Sequence, residues 1–462
     1  MKRSWLSKEK LLLFLILVLA LFLRVYLSLD EFLHMWDERF HAVVAKNLLN
    51  DPLKPFLYKT TVFSYKQQDW FTNHIWLHKQ PLPLWLMALS IKCFGLSEFV
   101  IRIPSILLST LSVYFTWAIA KKIVNPRIAL LAAFFHAING LVIDLCAGRL
   151  ATDHYDTLFL VFIEGAIYFA LIQVERKKLI WSFMIGLLIG LAILTKWLPA
   201  LIVLPIWFLF SRKYFPIKTL IVQGFIILIV TVAVALPWQL YILKTFPVEA
   251  ALSYKHNVQH MTEVLDDQSG DALFYLDRIR MNYSDVIYLP LLFFIFVAVK
   301  KRDSIKLGLL IWIFVPILFF SLIPTKMRGY ILFTAPALFI VCAYFMNYLY
   351  YKRALVKKKS YKILIVIFLI ASVALPIRYT VERLKLFEDY NRSPAWAKNY
   401  KKLAKETNGS KENLVFINVE HPIEFMFYSD FPAYQRRDMN DEEKKLYPGF
   451  VFIRLEDEMN KE

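Results

Sequence analysis

Cysteine is scarce in this chain. Three in 462 residues, Cys93, Cys146 and Cys342, are odd in number, scattered and without a CxxC pair. That excludes a disulfide framework and a knuckle-type zinc site. No GxGxxG, Walker motif or low-complexity run is present, so a nucleotide-driven pump is not indicated. No internal repeat is visible, whereas many transporters are built from related halves. The basic residues 1–10 precede an apolar run, as in a signal peptide. No small-residue cleavage site follows, so the run is expected to remain as a first span. Acidic residues are also short: 37 against 55 basic, a net charge of +18. Nucleic acid is one reading of that excess. The basic residues sit in short clusters between apolar runs, however, which fits the positive-inside rule and gives no reason to expect a nucleic-acid partner.

What the chain has is apolar length. Hydrophobic residues make up 58% and aromatics 16%, against about 45–50% apolar residues in soluble chains. The reading is an all-α polytopic membrane protein with about eleven spans. They fall near 11–29, 103–120, 128–146, 155–173, 179–194, 197–211, 219–240, 286–299, 307–323, 331–350 and 363–378. With the N-terminus in the cytoplasm, every cytoplasmic segment holds at least three Lys or Arg. The short outward turns hold only Arg149, Lys196, and Lys326 with Arg328, which supports that orientation. The C-terminus is then outside.

A membrane domain over 1–378 follows, with two long outer loops, about 30–102 and about 244–285. The first carries a helix-like stretch from Glu38 and an apolar one, Leu82 to Phe94, expected to lie in the membrane interface. Residues 379–462 read as a small extracytoplasmic α/β domain. Its expected strands are Leu414–Val419 and Phe450–Leu455, with a helical turn at Pro422–Tyr428.

Chemistry-bearing residues recur on the outward side. Asp37-Glu38 follows the first span, where carboxylates are either a helix cap or groups with a job. His78-Lys79-Gln80-Pro81 opens the interfacial helix. Gly148 to Asp156 is a turn with Arg149, Asp153 and Asp156. Thr325 to Tyr330 is a turn with Lys326 and Arg328. Carboxylates facing several cations suit a phosphate-bearing substrate beside a base. His74/His78 and His256/His260 have the spacing of one helical turn, which can bind a metal, but no third ligand is in register; no metal site is assigned, and a divalent cation stays only an option. Lys196 with Trp197 reads as an interface anchor. Asp144 reads as hydrogen-bonded structure, and Glu164, in mid-span, needs a partner.

These segments resemble the C-type membrane glycosyltransferases, the protein O-mannosyltransferases and lipid A aminoarabinose transferases. The resemblance is carried by "WDERFHAVVAKNLL", "HKQPLPLWLMALSIKCFGLSEFVIRIPS", "GRLATDHYDTLFLVF", "LTKWLPALIVLP", "ALPWQLY" and "TKMRGYILFTAPALFI", in order over residues 1 to about 350. Gln80 replaces the first proline of that family's Lys-Pro-Pro element, and the Lys326–Tyr330 element is altered. The resemblance implies the GT-C fold and an inner-membrane enzyme. A sugar would move from a polyprenyl-phosphate donor to a lipid A, protein or glycan acceptor. Asp37 would be the general base, with Glu38 orienting the acceptor or supporting Asp37. Asp156 would assist the acceptor or position a cation; Asp153, nearer the turn, would be a substrate contact, with Asp156 fitting the following Leu-Phe run better. Lys79, Arg149, Lys326 and Arg328 would bind the donor phosphate, with His78 and Tyr330 as further contacts. A transporter or flippase, or a ligase, of lipid-linked sugars is the alternative.

Overall fold

The computed structural model describes residues 2–435 and 439–455. The helices run in order α1 (Lys2–Leu27), α2 (Asp37–Asn47), α3 (Pro81–Phe94), α4 (Glu98–Ile123), α5 (Pro126–Ala137), α6 (Gly140–Cys146), α7 (Asp153–Arg176), α8 (Ile180–Lys196), α9 (Val203–Ser211), α10 (Ile217–Thr245), α11 (Pro247–Thr262), α12 (Phe274–Tyr283), α13 (Tyr288–Lys301), α14 (Ser304–Leu322), α15 (Ala335–Leu355) and α16 (Lys359–Arg383). The tail adds α17 (Ala395–Thr407), β1 (Leu414–Ile417), α18 (Pro422–Tyr428), α19 (Asp441–Lys445) and β2 (Val451–Arg454).

Every expected span is helical, but their lengths differ. Among the described residues seven helices are long and apolar enough to cross a membrane, eight if the bent pair α5–α6 is one span. The other three, α8, α9 with the 3-10 turn before it, and α13, are shorter. Side chains at the turns set the boundaries. Ser97 accepts from the Val100 N–H, and Asn125 and Asn139 cap α5 and α6, satisfying donors that a helix start leaves open.

Burial ranks the helices. The α7 span and the one ending in α15 are mostly buried, whereas α10 and α16 are mostly exposed. α8 crosses α10 closely because Gly186 and Gly190 face it; a Cβ on Gly186 would lie 2.6 Å from the Ile227 carbonyl oxygen. Small residues permit such contact between spans. Glu164, inside α7, takes hydroxyl bonds from Ser112 and Thr116. Asp144 pairs with Arg383 Nε at 2.9 Å.

In the tail, β1 and β2 pair in parallel, Leu414 opposite Val451 and Ile417 opposite Arg454. Their apolar side is shared: Phe416, Phe425 and Phe427 pack in one cluster with Phe40, Val43 and Val44 of α2. α16 runs to Arg383, past the expected boundary at 378. Residues 436–438 and 456–462 of that expected domain lie outside the described residues.

Candidate active site

Asp37 is the first residue of α2. Trp36, before it, has φ 74°, which turns the chain sharply into the helix. The Asp37 side chain is nearly buried, and its Oδ2 accepts from the Thr152 N–H at 2.8 Å and from Lys79 Nζ at 3.2 Å. Among the described residues no bond goes to Oδ1, which leaves one basic oxygen for a substrate. Burial alone would raise this carboxyl. Lys79, then His41 and His78, then the Thr152 N–H outweigh it and hold Asp37 well below the usual carboxylate range.

Asp37 opens into a cavity of about 790 Å³. Lys79 and Lys196 supply cations on its wall, and His78, Tyr155, His260 and Tyr330 supply polar edges. Lys196 is bound to Asp156, which also takes the Thr152 hydroxyl, and its Nζ lies 4.9 Å over the Tyr330 ring. His78 stacks flat on Trp70, centroids 4.4 Å apart. Burial and Lys79 push His78 well down, burial and Lys79 also lower His256, and burial with His256 brings His260 to about 3. The imidazoles are therefore neutral at pH 7, and the positive charge here belongs to the two lysines. Burial and Asp37 together push Asp266, on the same wall, upward.

One flank is apolar. Leu198, Ile202, Val315, Phe319 and Phe320 line the cavity, and Leu198, Val315 and Phe319 are exposed. Such a wall admits a hydrocarbon chain beside a charged centre. Trp36, Thr152, Trp197 and Asp266 all line this cavity and all have positive φ. Left-handed backbone at non-glycine residues costs about 1–3 kcal/mol each and gathers at functional sites.

The acid pair divides here. Glu38, fully buried, leaves the cavity and meets Arg102: Nε to Oε1 at 2.7 Å and Nη2 to Oε2 at 3.0 Å. It also accepts the His34 N–H at 2.7 Å and sits 2.7 Å from His34 Nδ1 and 3.3 Å from His154 Nε2. A Cβ on Gly148 would strike it. Of the two expectations for Glu38, orienting the acceptor or supporting Asp37, the first has no geometry here: the side chain lies in a buried ion cluster off the cavity wall.

Three expected phosphate ligands are likewise not on the cavity wall. Arg149 makes a two-pronged contact with Asp30 Oδ2, at 2.8 and 3.0 Å, and stacks over Tyr390. Lys326 is buried and donates to the Ile323 carbonyl of its own turn. Arg328 is exposed. Asp153 pairs with His41 Nδ1 at 3.1 Å, inside the protein. His74 is not in a helix with His78; it bonds the Tyr58 carbonyl at 2.6 Å. His256 and His260 are on α11, with their Nε2 atoms 3.2 Å apart. Among the described residues no group of three or more His, Cys, Asp or Glu is placed to hold a metal.

By sequence alone Lys196 reads as an interface anchor; the fold gives it Asp156 as a partner. The available signal was Lys196 with Asp156, two charges expected at span ends on one side. Trp36 and Trp70 gave no comparable signal.

The family model described as dolichyl-phosphate-mannose-protein mannosyltransferase matches residues 78–238. An undecaprenyl phosphate-alpha-4-amino-4-deoxy-L-arabinose arabinosyl transferase of Pseudomonas savastanoi is 28% identical over 332 residues, 68% of this chain and 58% of that protein. An uncharacterized protein of Aquifex aeolicus is 27% identical over 75% of this chain and 65% of its own length. The chain thus spans less than two thirds of these relatives. Among solved structures, ArnT of Cupriavidus metallidurans bound to undecaprenyl phosphate superposes with TM-score 0.68 at 16% identity, covering 100% of this chain and 91% of that one. The chain has the GT-C fold. An Archaeoglobus fulgidus oligosaccharyltransferase shares it at TM-score 0.64 and 14% identity, over 92% of this chain and 64% of that one. The chain is an integral, multi-pass membrane protein.

Proposed function

We propose that the chain is a glycosyltransferase that moves a sugar from a polyprenyl-phosphate donor to a lipid, protein or glycan acceptor. It would work at the extracytoplasmic face of a bacterial inner membrane, with the N-terminus in the cytoplasm. The observation that carries this is one carboxylate, Asp37, held by Lys79 in a cavity that has a second lysine on its wall and an apolar flank. A phosphate belongs with the lysines, a polyprenyl chain with the flank, and an acceptor hydroxyl with Asp37. The relatives named above support the donor class, and the clustering of basic residues at alternate turns supports the orientation.

In the transfer, the acceptor oxygen bonds the anomeric carbon while the bond from that carbon to the phosphate oxygen breaks. The electron pair leaves with the polyprenyl monophosphate, and the acceptor proton goes to Asp37. Attack opposite the phosphate inverts the anomeric centre. Lys79 and Lys196 offset the charge on the departing phosphate. Lys79 has two partners to serve: it holds Asp37 before the donor arrives, and a phosphate that draws it away restores the basicity of Asp37 when it is needed.

The test is sugar transfer in proteoliposomes, with a radiolabelled polyprenyl-phosphate sugar pool and wild type beside Asp37→Asn. Label reaching an acceptor only with wild type is the expected result. Equal transfer by both removes Asp37 from the mechanism. Label that crosses the bilayer on its lipid makes the chain a flippase.

A further inference from the structure

A second large cleft lies away from the catalytic cavity and shares no residue with it. Its volume is about 630 Å³, between α5, α15 and α16. α16 forms one wall and touches the bundle along one side, with only 11% of its span buried. The cleft is graded along its length. Leu131, Leu369 and Val373 line its body, and Arg127 and Arg353 stand at one end. Arg127 begins α5, and the α5–α6 pair runs from there towards Gly148 beside Glu38, so the arginines mark the end opposite the catalytic site. Arg127 also stacks over Tyr351 at 5.9 Å, and Arg353 over Tyr350 at 5.2 Å, which fixes both guanidiniums at the mouth. Lys357, Lys358 and Lys359 follow in sequence, with no acid between Lys352 and Lys362.

We propose that this cleft is a phospholipid site: an acyl chain lies between α5, α15 and α16, and an anionic headgroup sits between Arg127 and Arg353. Charge decides the occupant. A hydrocarbon chain fits any of the apolar surface, but two guanidiniums with a lysine run call for phosphate carrying net negative charge, as on the anionic lipids of a cytoplasmic leaflet. A filled cleft would brace α16, which leads directly into the tail packed on α2.

The experiment is native mass spectrometry of the full chain in detergent with phosphatidylglycerol or phosphatidylcholine added in equal amounts. One tightly retained phosphatidylglycerol is expected, preferred by about fivefold for each arginine. Arg127→Gln with Arg353→Gln should remove the preference without removing binding. Leu369→Trp, which fills the cleft, should lower retention of both lipids. Equal retention of the two lipids by wild type would overturn the proposal, as would an unchanged preference in the double variant. Displacement of the bound phosphatidylglycerol by added polyprenyl phosphate would also overturn it, giving the cleft to the donor lipid. Either single arginine variant serves where the double variant does not fold, and none of these readouts depends on sugar transfer.

Discussion

Asp37 and Glu38 are adjacent in sequence and have opposite surroundings. Among the described residues Asp37 keeps one oxygen without a bond at a cavity, its other oxygen taking Lys79 and the Thr152 N–H. Glu38 is wrapped by Arg102, His34 and His154, all buried. Arg102 spends its remaining donors on the carbonyls of Ser28, Asp30 and Phe32, which fastens the loop leaving α1. Behind Glu38, His34 bonds Asp30, and Asp30 gathers Arg149, Arg392 and Tyr390. Burial would lower His34, but Glu38 and Asp30 outweigh it and raise it. One acid is thus left available, and its neighbour anchors a cluster that joins the first loop, α4, α7 and the tail. In the proposed transfer Asp37, at the start of its helix, needs that helix held still, and the cluster around Glu38 is placed to hold it.

The sharpest test separates the two acids by readout. Asp37→Asn should cut transfer by about 10²–10⁴, the usual contribution of a general base, with a smaller fall in melting temperature in detergent than Glu38→Ala causes, since it gives up only the charge paired with Lys79. Glu38→Ala should do the reverse first. It strands Arg102 in a buried site at a cost of about 3–5 kcal/mol, read as a large fall in melting temperature. If Glu38→Ala melts like wild type while transfer is lost, the contrast between the acids is wrong and both are chemical.

The same contrast explains how much the sequence could tell. Apolar runs and charge clusters mark helices by composition, so their places and the Leu414 and Phe450 strands were legible. Asp37 and Lys79 were legible because each stands at a junction where a charge is costly without a role. Asp30, which draws partners from residues 119 and 362 positions away, has no local pattern. Arg149 therefore looked like a phosphate ligand when its partner was that distant acid. Lys196 failed in the other direction, because a lysine at a span end has an ordinary explanation in the interface and only the fold brings Asp156 to it.

Arg149→Ala sharpens the structural side. It removes two bonds to Asp30 and one to the Arg383 carbonyl. A loss of about 1.5–3 kcal/mol is expected for a charged hydrogen-bonded group, seen as faster limited proteolysis of the tail, with the donor KM unchanged. A donor KM raised tenfold or more would return Arg149 to the phosphate.

The smallest effect tests whether Lys79 sets the protonation of Asp37. In the free protein the Asp37 carboxyl is held below its ordinary value, so it is ionised throughout pH 5–8 and protonates only in stronger acid. A carboxyl lowered on folding stabilises the protein above its unfolded pKa, near 4, and loses that contribution as pH falls through the lowered value. Lys79→Gln removes the main opposing charge. Burial then acts against the Thr152 N–H and more distant histidines alone, and the Asp37 pKa rises. The acid limb of kcat/KM should move up by about one pH unit or more, while wild type stays flat from pH 5 to 8. The variant should also lose about 10–100-fold in kcat/KM for the donor, since it removes a charged contact to phosphate, so the limb is compared by its position and not its height. A limb that stays in place would mean that the Thr152 N–H and the histidines govern Asp37, and that Lys79 serves the phosphate alone.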